Sequence, residues 1–163
     1  MKFIQALIII AAIALFSACG GPKVVPATPV TNPAPSALSA AGLHENIVLL
    51  AKYKKYQILN DDGEYNLRIK YDRMQTDKQT KAVTLHSSIT YDVTNTANAY
   101  TFSYVDSTNL GYNEHNISSA YTRYIGSFDS TLKRMYNDPA YLERMKNIVA
   151  GKNPDGTDKV PAQ

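Results

Sequence analysis

The sequence predicts a two-layer α+β domain in which a helix, three or four antiparallel strands and two further helices follow one another. Apolar and polar residues alternate over residues 64–74 and 82–94, which is typical of antiparallel strands with one buried face. Residues 117–135 instead place apolar side chains every three or four positions, the spacing of an amphipathic helix. Because each strand has a single apolar face, we expect the helices to cover one face of the sheet.

The first helix is expected at residues 38–53. Leu43, Ile47 and Leu50 recur there at the spacing of one helical face. Gly42 has a low helix propensity, so the alternative start is Leu43.

Three or four strands are expected next. A short strand at residues 56–59 precedes a turn at residues 60–63, where Gly is available for positive φ. Longer strands are expected at residues 64–74, 82–94 and 99–105. In the strand at 82–94 the side chains expected to point inward are Val83, Leu85, Ser87, Ile89, Tyr91 and Val93.

Two helices are expected to complete the domain. Residues 106–113 have the composition of a turn and form the longest predicted loop inside it. After the helix at 117–135, Asp138 and Pro139 indicate the cap and first position of a last helix. Gly151 is expected to end that helix.

Charge and cysteine content limit the function classes. The chain has 17 Lys and Arg against 14 Asp and Glu, an excess that is too small and too scattered for a nucleic-acid-binding surface. A secreted protein of this size can use disulfides, but its one cysteine cannot form an internal bond. We therefore expect no nucleic-acid partner and a separate role for Cys19.

Residues 1–18 have the features of a secretory signal peptide. Lys2 gives a positive start, and residues 3–16 form an apolar run that only Gln5 interrupts. The run is too short for a comfortable membrane span. Residues 15–19 (Leu-Phe-Ser-Ala-Cys) resemble the lipobox of bacterial lipoproteins, with Phe16 where that pattern has Leu, Val or Ile.

The lipobox resemblance implies a lipid anchor on Cys19. It implies diacylglycerol on the sulfur, cleavage before Cys19 and acylation of the new amine. Two or three acyl chains hold a protein on a bilayer far better than one. Gly20 stands where many enterobacteria use Asp for inner-membrane retention, which favours the outer membrane. The alternatives are an uncleaved N-terminal anchor and an ordinary cleaved signal peptide.

The mature chain is expected to have three parts. Residues 19–36 hold the lipidated cysteine and a proline-rich tether that, if fully extended, reaches up to ~50 Å from the membrane. Residues 37–151 form the α+β domain. Residues 152–163 are expected to be a disordered polar tail.

One segment of the chain has the pattern Tyr-x-Asp-Ser-x-x-Leu-x-Tyr. The residues that form it are Tyr104, Asp106, Ser107, Leu110 and Tyr112. With the strand pattern before it and the spacing of Ile117, Tyr121 and Leu132 after it, residues 43–132 resemble a group of small bacterial lipoproteins of unknown function. The resemblance implies a membrane address and a compact α+β fold, and it implies no activity.

A binding site is predicted at the loop of residues 106–116. This loop is polar and contains Tyr112 and His115, and loops of this kind often carry binding on a rigid scaffold. Asp106 is either a binding residue or a turn residue whose carboxylate accepts backbone N–H groups. Asp106 and Glu114 are also the candidate carboxylate pair of a glycosidase-like enzyme.

We expect no metal site and no cofactor. His44, His86 and His115 are far apart in sequence, and none forms the closely spaced ligand pair of a zinc site. The sequence has neither a Gly-x-Ser-x-Gly motif nor a phosphate-binding glycine loop.

Together these features favour a non-catalytic envelope lipoprotein. Acyl chains on Cys19 would hold it on the outer membrane facing the periplasm, and its domain would bind or dock on an envelope protein. One alternative is a periplasmic enzyme that acts on glycan or peptide, which needs convergent carboxylates or histidines. Another is a small lipid or solute carrier, which needs an enclosed apolar pocket.

Overall fold

The computed structural model describes residues 23–35, 38–113 and 115–159, which form seven strands and three helices. The expected signal peptide and Cys19 lie outside the described residues. The strands are β1 (Val24–Pro26), β2 (Val30–Pro33), β3 (Gln57–Asp61), β4 (Asn66–Thr76), β5 (Val83–Asn95), β6 (Ala99–Thr108) and β7 (Asn116–Ser118). The helices are α1 (Ala40–Tyr53), α2 (Ala120–Asn137) and α3 (Pro139–Val149).

The strands form two antiparallel sheets. Five of them are ordered β2-β6-β5-β4-β3, and β1 pairs with β7 in a separate two-stranded sheet. The helices pack on the face of the larger sheet that carries the buried side chains of Leu67, Ile69 and Tyr91. This confirms the predicted α+β class. The larger sheet has one more strand than expected, because β2 comes from the predicted tether.

An aromatic cluster occupies the core between the sheet and α2. The Phe128 ring is fully buried, and its centroid lies 5.6 Å from that of Tyr56, 6.3 Å from Tyr91 and 5.8 Å from Phe102. Tilted and edge-on ring pairs stabilise a core beyond the burial of their area. The large aliphatic side chains that are fully buried around the cluster are Leu43, Ile47, Leu50, Leu67, Ile69, Ile89 and Ile117.

The first helix begins between the two predicted starts. The Ser39 hydroxyl accepts a hydrogen bond from the backbone N–H of Gly42 at 3.1 Å, which caps α1 at Ala40. Lys54 follows the last turn of the helix, and Lys55 has a φ of 58°. This left-handed residue turns the chain towards β3, so that Tyr56 enters the core.

The predicted tether is in part a component of the fold. Residues 24–26 pair with β7 and residues 30–33 pair with β6, where only spacer was expected at 19–36. Val25 and Val30 pack against the core. Prolines are compatible with β2 because an edge strand needs N–H donors on one side only. The folded unit therefore begins near residue 24 and not at residue 37.

The prediction of which side chains of residues 82–94 point inward is wrong for Val83 and Leu85, in the first part of the strand. The side chains of Val83 and Leu85 are 60% and 42% exposed. Arg73 pairs with Ser87, whereas Met74 pairs with Leu85, so His86 is an extra residue in β5. Such a bulge moves every residue before it to the opposite face of the sheet.

The boundaries around the predicted loop also differ. Residues 106–108 continue β6, and Ile117 lies in β7. The helix predicted from residue 117 therefore begins at Ala120. The last helix agrees with its prediction, because the Asp138 carboxylate caps it by accepting the backbone N–H of Tyr141 at 2.9 Å.

The tail is ordered over its first part. Gly151 has a φ of 81° and ends α3 as expected. The Asn153 backbone N–H then donates to the carbonyl of Thr157 at 2.8 Å, and the Asp155 carboxylate accepts the backbone N–H of Thr157 at 3.0 Å. Residues 152–159 thus form a turn where a disordered tail was expected, and residues 160–163 lie outside the described residues.

Candidate functional site

The predicted binding residues Tyr112 and His115 lie near the end of β6. The Tyr112 side chain is 45% exposed, and its ring lies on that of Tyr104 with centroids 4.5 Å apart. His115 is exposed, and its backbone carbonyl accepts the N–H of Ala27 at 3.0 Å. Ring stacking and backbone pairing are structural roles for these two residues.

Asp106 is directed away from the other two predicted residues. Tyr104 pairs with Tyr91 on the helix-covered face, whereas Asp106 pairs with Thr90, and the register shifts between the two pairs. Paired residues share a face, so the extra residue Val105 places Asp106 on the opposite face. Asp106 also lies within a strand and not in the turn that its carboxylate was expected to shape. Glu114, its proposed catalytic partner, lies outside the described residues.

A different site lies where the β4–β5 hairpin extends beyond the helices. It is an open cleft with a volume of about 520 Å³. Its walls come from three parts of the chain that meet at this point: the end of α1 with the residues after it, the outer part of β4, and the first turns of α2. This volume is within the range of small-molecule sites, roughly 300–1,000 Å³.

Three cationic side chains line the cleft: those of Lys54, Arg73 and Arg123. Arg73 continues the alternation of Leu67, Ile69 and Tyr71 on the helix-covered face of β4, but it lies where the helices no longer cover that face. The cation is thereby held over the cleft and remains exposed.

The two arginines of the cleft differ from the other arginines of the chain. Arg68 forms two hydrogen bonds with the Asp92 carboxylate at 2.8 and 2.9 Å, and Arg134 and Arg144 both lie within 4.0 Å of the Asp138 carboxylate. Among the described residues, no carboxylate pairs with Arg73, Arg123 or Lys54. The remaining residues that line the cleft are Tyr56, Tyr71, Tyr124 and Ser127. None of the described residues that line it is therefore an aspartate or a glutamate.

The tyrosines give the cleft a rigid aromatic wall. The ring centroids of Tyr56 and Tyr71 are 5.0 Å apart, and those of Tyr71 and Tyr124 are 5.3 Å apart. Tyr56 continues this row to Phe128 in the core. The Tyr124 hydroxyl lies 3.4 Å from the Ser87 hydroxyl. Because the wall is joined to the core, it offers ring faces and hydroxyl groups to a ligand at little entropic cost.

Burial destabilises the charged form of the Lys54 side chain. The Lys54 ammonium donates to the Ser127 hydroxyl at 3.1 Å, which holds it at the cleft. Burial lowers the pKa of Lys54 below its ordinary value of 10.5. This shift means that the charged form is poorly compensated in the free protein. A bound anion would compensate it.

A cluster of polar side chains outside the cleft is centred on His44, which is buried. One of its ring nitrogens lies 3.0 Å from the Asp61 carboxylate, and the other lies 3.3 Å from the Asn95 side-chain oxygen. The Asn95 amide in turn donates to the carbonyl of Ala40 at 2.8 Å. These bonds join α1 to the sheet and use both ring nitrogens. His44 is not one of the apolar positions Leu43, Ile47 and Leu50 on which the helix prediction rests, so its burial was not predicted.

The cleft was missed because its residues are distant in sequence. Lys54 follows the helix predicted at residues 38–53, and no binding role was predicted for it. The available signal was the alternation of β4, which places Arg73 on the apolar face, where an isolated cation needs either a partner or a ligand. Nothing in the sequence shows that Arg123 lies beside it.

The part of the chain that the structure describes contains no group of three potential metal-binding side chains. None of its helices is long and apolar enough to cross a membrane. The chain matches no protein-family model, and no curated protein or solved structure is significantly similar to it. The resemblance to small lipoproteins therefore stays a prediction.

Proposed function

We propose that this protein is a lipid-anchored binding protein of the bacterial envelope, held by Cys19 on the outer membrane facing the periplasm, and that its domain binds an anionic ligand in the cleft. One observation carries the binding proposal: Lys54, Arg73 and Arg123 line the cleft without a described carboxylate partner. Like charges in one partly buried site repel each other, and a bound anion relieves that repulsion.

The lining also supports binding over the two alternatives. The enzyme alternative needs a nucleophile, acid or base in hydrogen-bond reach of a reacting group, and usually histidines or carboxylates provide it. The described lining consists of cations, tyrosines and one serine. The carrier alternative needs an enclosed apolar pocket, whereas this cleft is open and is lined by three cations.

The binding proposal is tested by calorimetric titration with inorganic pyrophosphate. The protein used begins at Gly20 and so contains every described helix and strand. We expect pyrophosphate to bind, and the double variant Arg73→Gln, Arg123→Gln to bind at least tenfold more weakly. The control is Lys152→Gln, Lys159→Gln, which removes the same charge from two exposed residues outside the cleft and should keep the affinity.

No heat of binding to the unmodified domain would reject the proposal. An equal loss in both double variants would also reject it, because attraction would then depend on net charge and not on the cleft. Thermal unfolding of each variant shows whether the fold is kept.

The anchor proposal has its own test. The intact mass of the protein extracted from bacterial membranes should show two or three acyl chains on a chain that begins at Cys19. The full-length variant Cys19→Ser should lack this mass and the processing that depends on it. An unmodified Cys19 in the membrane-extracted protein would contradict the anchor.

A further inference from the structure

The described fold leaves little free chain between Cys19 and the domain. Residues 24–26 are paired with β7, so only residues 20–23 separate the expected lipid anchor from the first strand. Five residue steps from Cys19 to Val24 span at most ~18 Å, at ~3.6 Å for each step. An anchored domain must therefore lie against the bilayer and not at the end of a long tether.

The point where the N-terminal chain leaves the domain decides which end faces the membrane. The carbonyl of Lys23 accepts the backbone N–H of Ser119 at 2.8 Å, directly before α2. Arg123 follows Ser119 by four residues, about 6 Å along a helix axis. The chain thus leaves the fold within about one helical turn of a cation that lines the cleft.

The β4–β5 hairpin lies at the same end of the sheet. The last residue of β6, Thr108, pairs with Ser88 of β5. Two residues further on, the carbonyl of Leu110 accepts the backbone N–H of Ser118 at 2.9 Å. Ser118 belongs to β7 and pairs with Val24 of β1. From the Asp72–Ser88 pair to the Thr76–Val83 pair, the hairpin continues beyond this level by four residues of β4, about 14 Å. The hairpin, the cleft and the chain exit therefore share one end, and the β5–β6 turn lies at the other.

The composition of the hairpin is typical of a protein segment that binds a membrane interface. The side chains of Met74, Val83 and Leu85 are 54%, 60% and 42% exposed. Arg73, Lys78 and Lys81 accompany them, against the single carboxylate of Asp77, which accepts two backbone N–H groups within the turn. Exposed apolar residues next to cations bind the interface of an anionic bilayer.

We propose that the cleft takes the phosphate group of an anionic phospholipid from the leaflet that holds Cys19, and that the end of the β4–β5 hairpin lies in the interface of that leaflet. This inference rests on the proposed function, because it needs both the anchor and the anion-binding cleft. The arginines bind the phosphate oxygens through paired N–H donors, and the tyrosine wall contacts the glycerol and the first carbons of the lipid.

Orientation is tested with fluorescent labels. The protein that begins at Gly20 has no cysteine, so Gln79→Cys in the hairpin turn and Ala97→Cys in the β5–β6 turn each provide one labelling site. An N-terminal histidine tag on nickel-chelating lipid replaces the acyl anchor. On vesicles of phosphatidylcholine and phosphatidylglycerol, an environment-sensitive dye at position 79 should report an apolar environment, and the dye at position 97 should not. Equal responses at both positions, or none at either, would overturn the orientation.

The lipid is tested by partitioning of the untagged protein that begins at Gly20. Vesicles of phosphatidylcholine contain phosphatidylglycerol in one arm and an equal surface charge of oleate in the other. We expect stronger binding to phosphatidylglycerol, and an at least tenfold loss with Arg73→Gln, Arg123→Gln but not with Lys152→Gln, Lys159→Gln.

Equal binding to both vesicles, with pyrophosphate binding retained, would assign the cleft to a soluble anion. That result overturns this inference and leaves the proposed function. Failure of the unmodified domain to bind pyrophosphate would reject the proposed function itself, and this inference with it.

Discussion

Alkaline pH is expected to unfold the domain through its buried tyrosines. The Tyr56 side chain is 9% exposed, and those of Tyr91, Tyr100 and Tyr121 are at most 1% exposed. Burial raises the pKa of Tyr56 and of Tyr121 from 10.0 to about 12, and it also raises the pKa of Tyr91 and of Tyr100. A raised pKa contributes stability that is complete below the unfolded pKa and is lost as the pH rises through the folded pKa.

The size of the effect follows from the ionisation of the unfolded chain. At pH 11 an unfolded tyrosine with a pKa near 10 is about 90% ionised, which favours the unfolded state by about 1.4 kcal/mol. The four buried tyrosines remain largely protonated in the folded state, so together they lower the free energy of unfolding by about 5–6 kcal/mol. This equals the whole stability of a marginal domain, about 5 kcal/mol. Unfolding is therefore expected near pH 11.

The assay is a titration followed by tyrosinate absorbance and far-UV circular dichroism. The chain has 12 tyrosines and no tryptophan, so absorbance counts ionised tyrosines without interference. We expect the exposed tyrosines to ionise first, and the buried ones to ionise together with loss of the dichroism signal. Ionisation of all tyrosines in one step near pH 10, with the dichroism unchanged, would refute the burial argument.

One variant makes this test specific. Tyr121→Phe removes a buried hydroxyl that has no hydrogen-bond partner among the described residues, so the fold should be kept. It should move the unfolding midpoint to higher pH, because one ionisable group no longer favours the unfolded state.

Three further results are expected. Pyrophosphate affinity measured by calorimetry should fall as the pH rises through the pKa of Lys54, which burial lowers from its ordinary value of 10.5, because the neutral amine attracts no anion. Lys54→Arg should keep its affinity, and equal pH profiles of the two proteins would contradict this role. Asp138→Ala should lower the free energy of unfolding in urea by about 1 kcal/mol through loss of the α3 cap, and an unchanged urea midpoint would show that the cap is dispensable. Tyr112→Ala should cost about 0.5–1.5 kcal/mol by removing the stack on Tyr104 and should leave pyrophosphate affinity unchanged, whereas a loss of affinity would return the binding site to the predicted loop.

Regular patterns in the sequence were sufficient for most of the fold. Alternation over β4 and the three-and-four spacing of α2 arise from burial on one face, which leaves a signal along the chain. Irregularities leave no such signal. The extra residues at His86 and Val105 reverse the faces of Leu85 and Asp106, and a bulge depends on the partner strand and not on local composition.

The strands before α1 were missed for a similar reason. Five prolines indicated a spacer, and the same residues suit an edge strand because β6 supplies the pairing. That difference bears on the proposed function, since it shortens the predicted tether. The cleft was missed because Lys54, Arg73 and Arg123 become neighbours only through the packing of α1, β4 and α2.

The central claim is that Arg73 and Arg123 form a binding site for a phosphate group. The chain has five arginines, so their guanidinium N–H signals can be resolved individually in a nuclear magnetic resonance spectrum of the domain. On titration with glycerol phosphate we expect the signals of Arg73 and Arg123 to shift together, while that of Arg68, which is paired with Asp92, does not move. Equal small shifts at Arg68, Arg73 and Arg123, or no shift at any of them, would contradict the account.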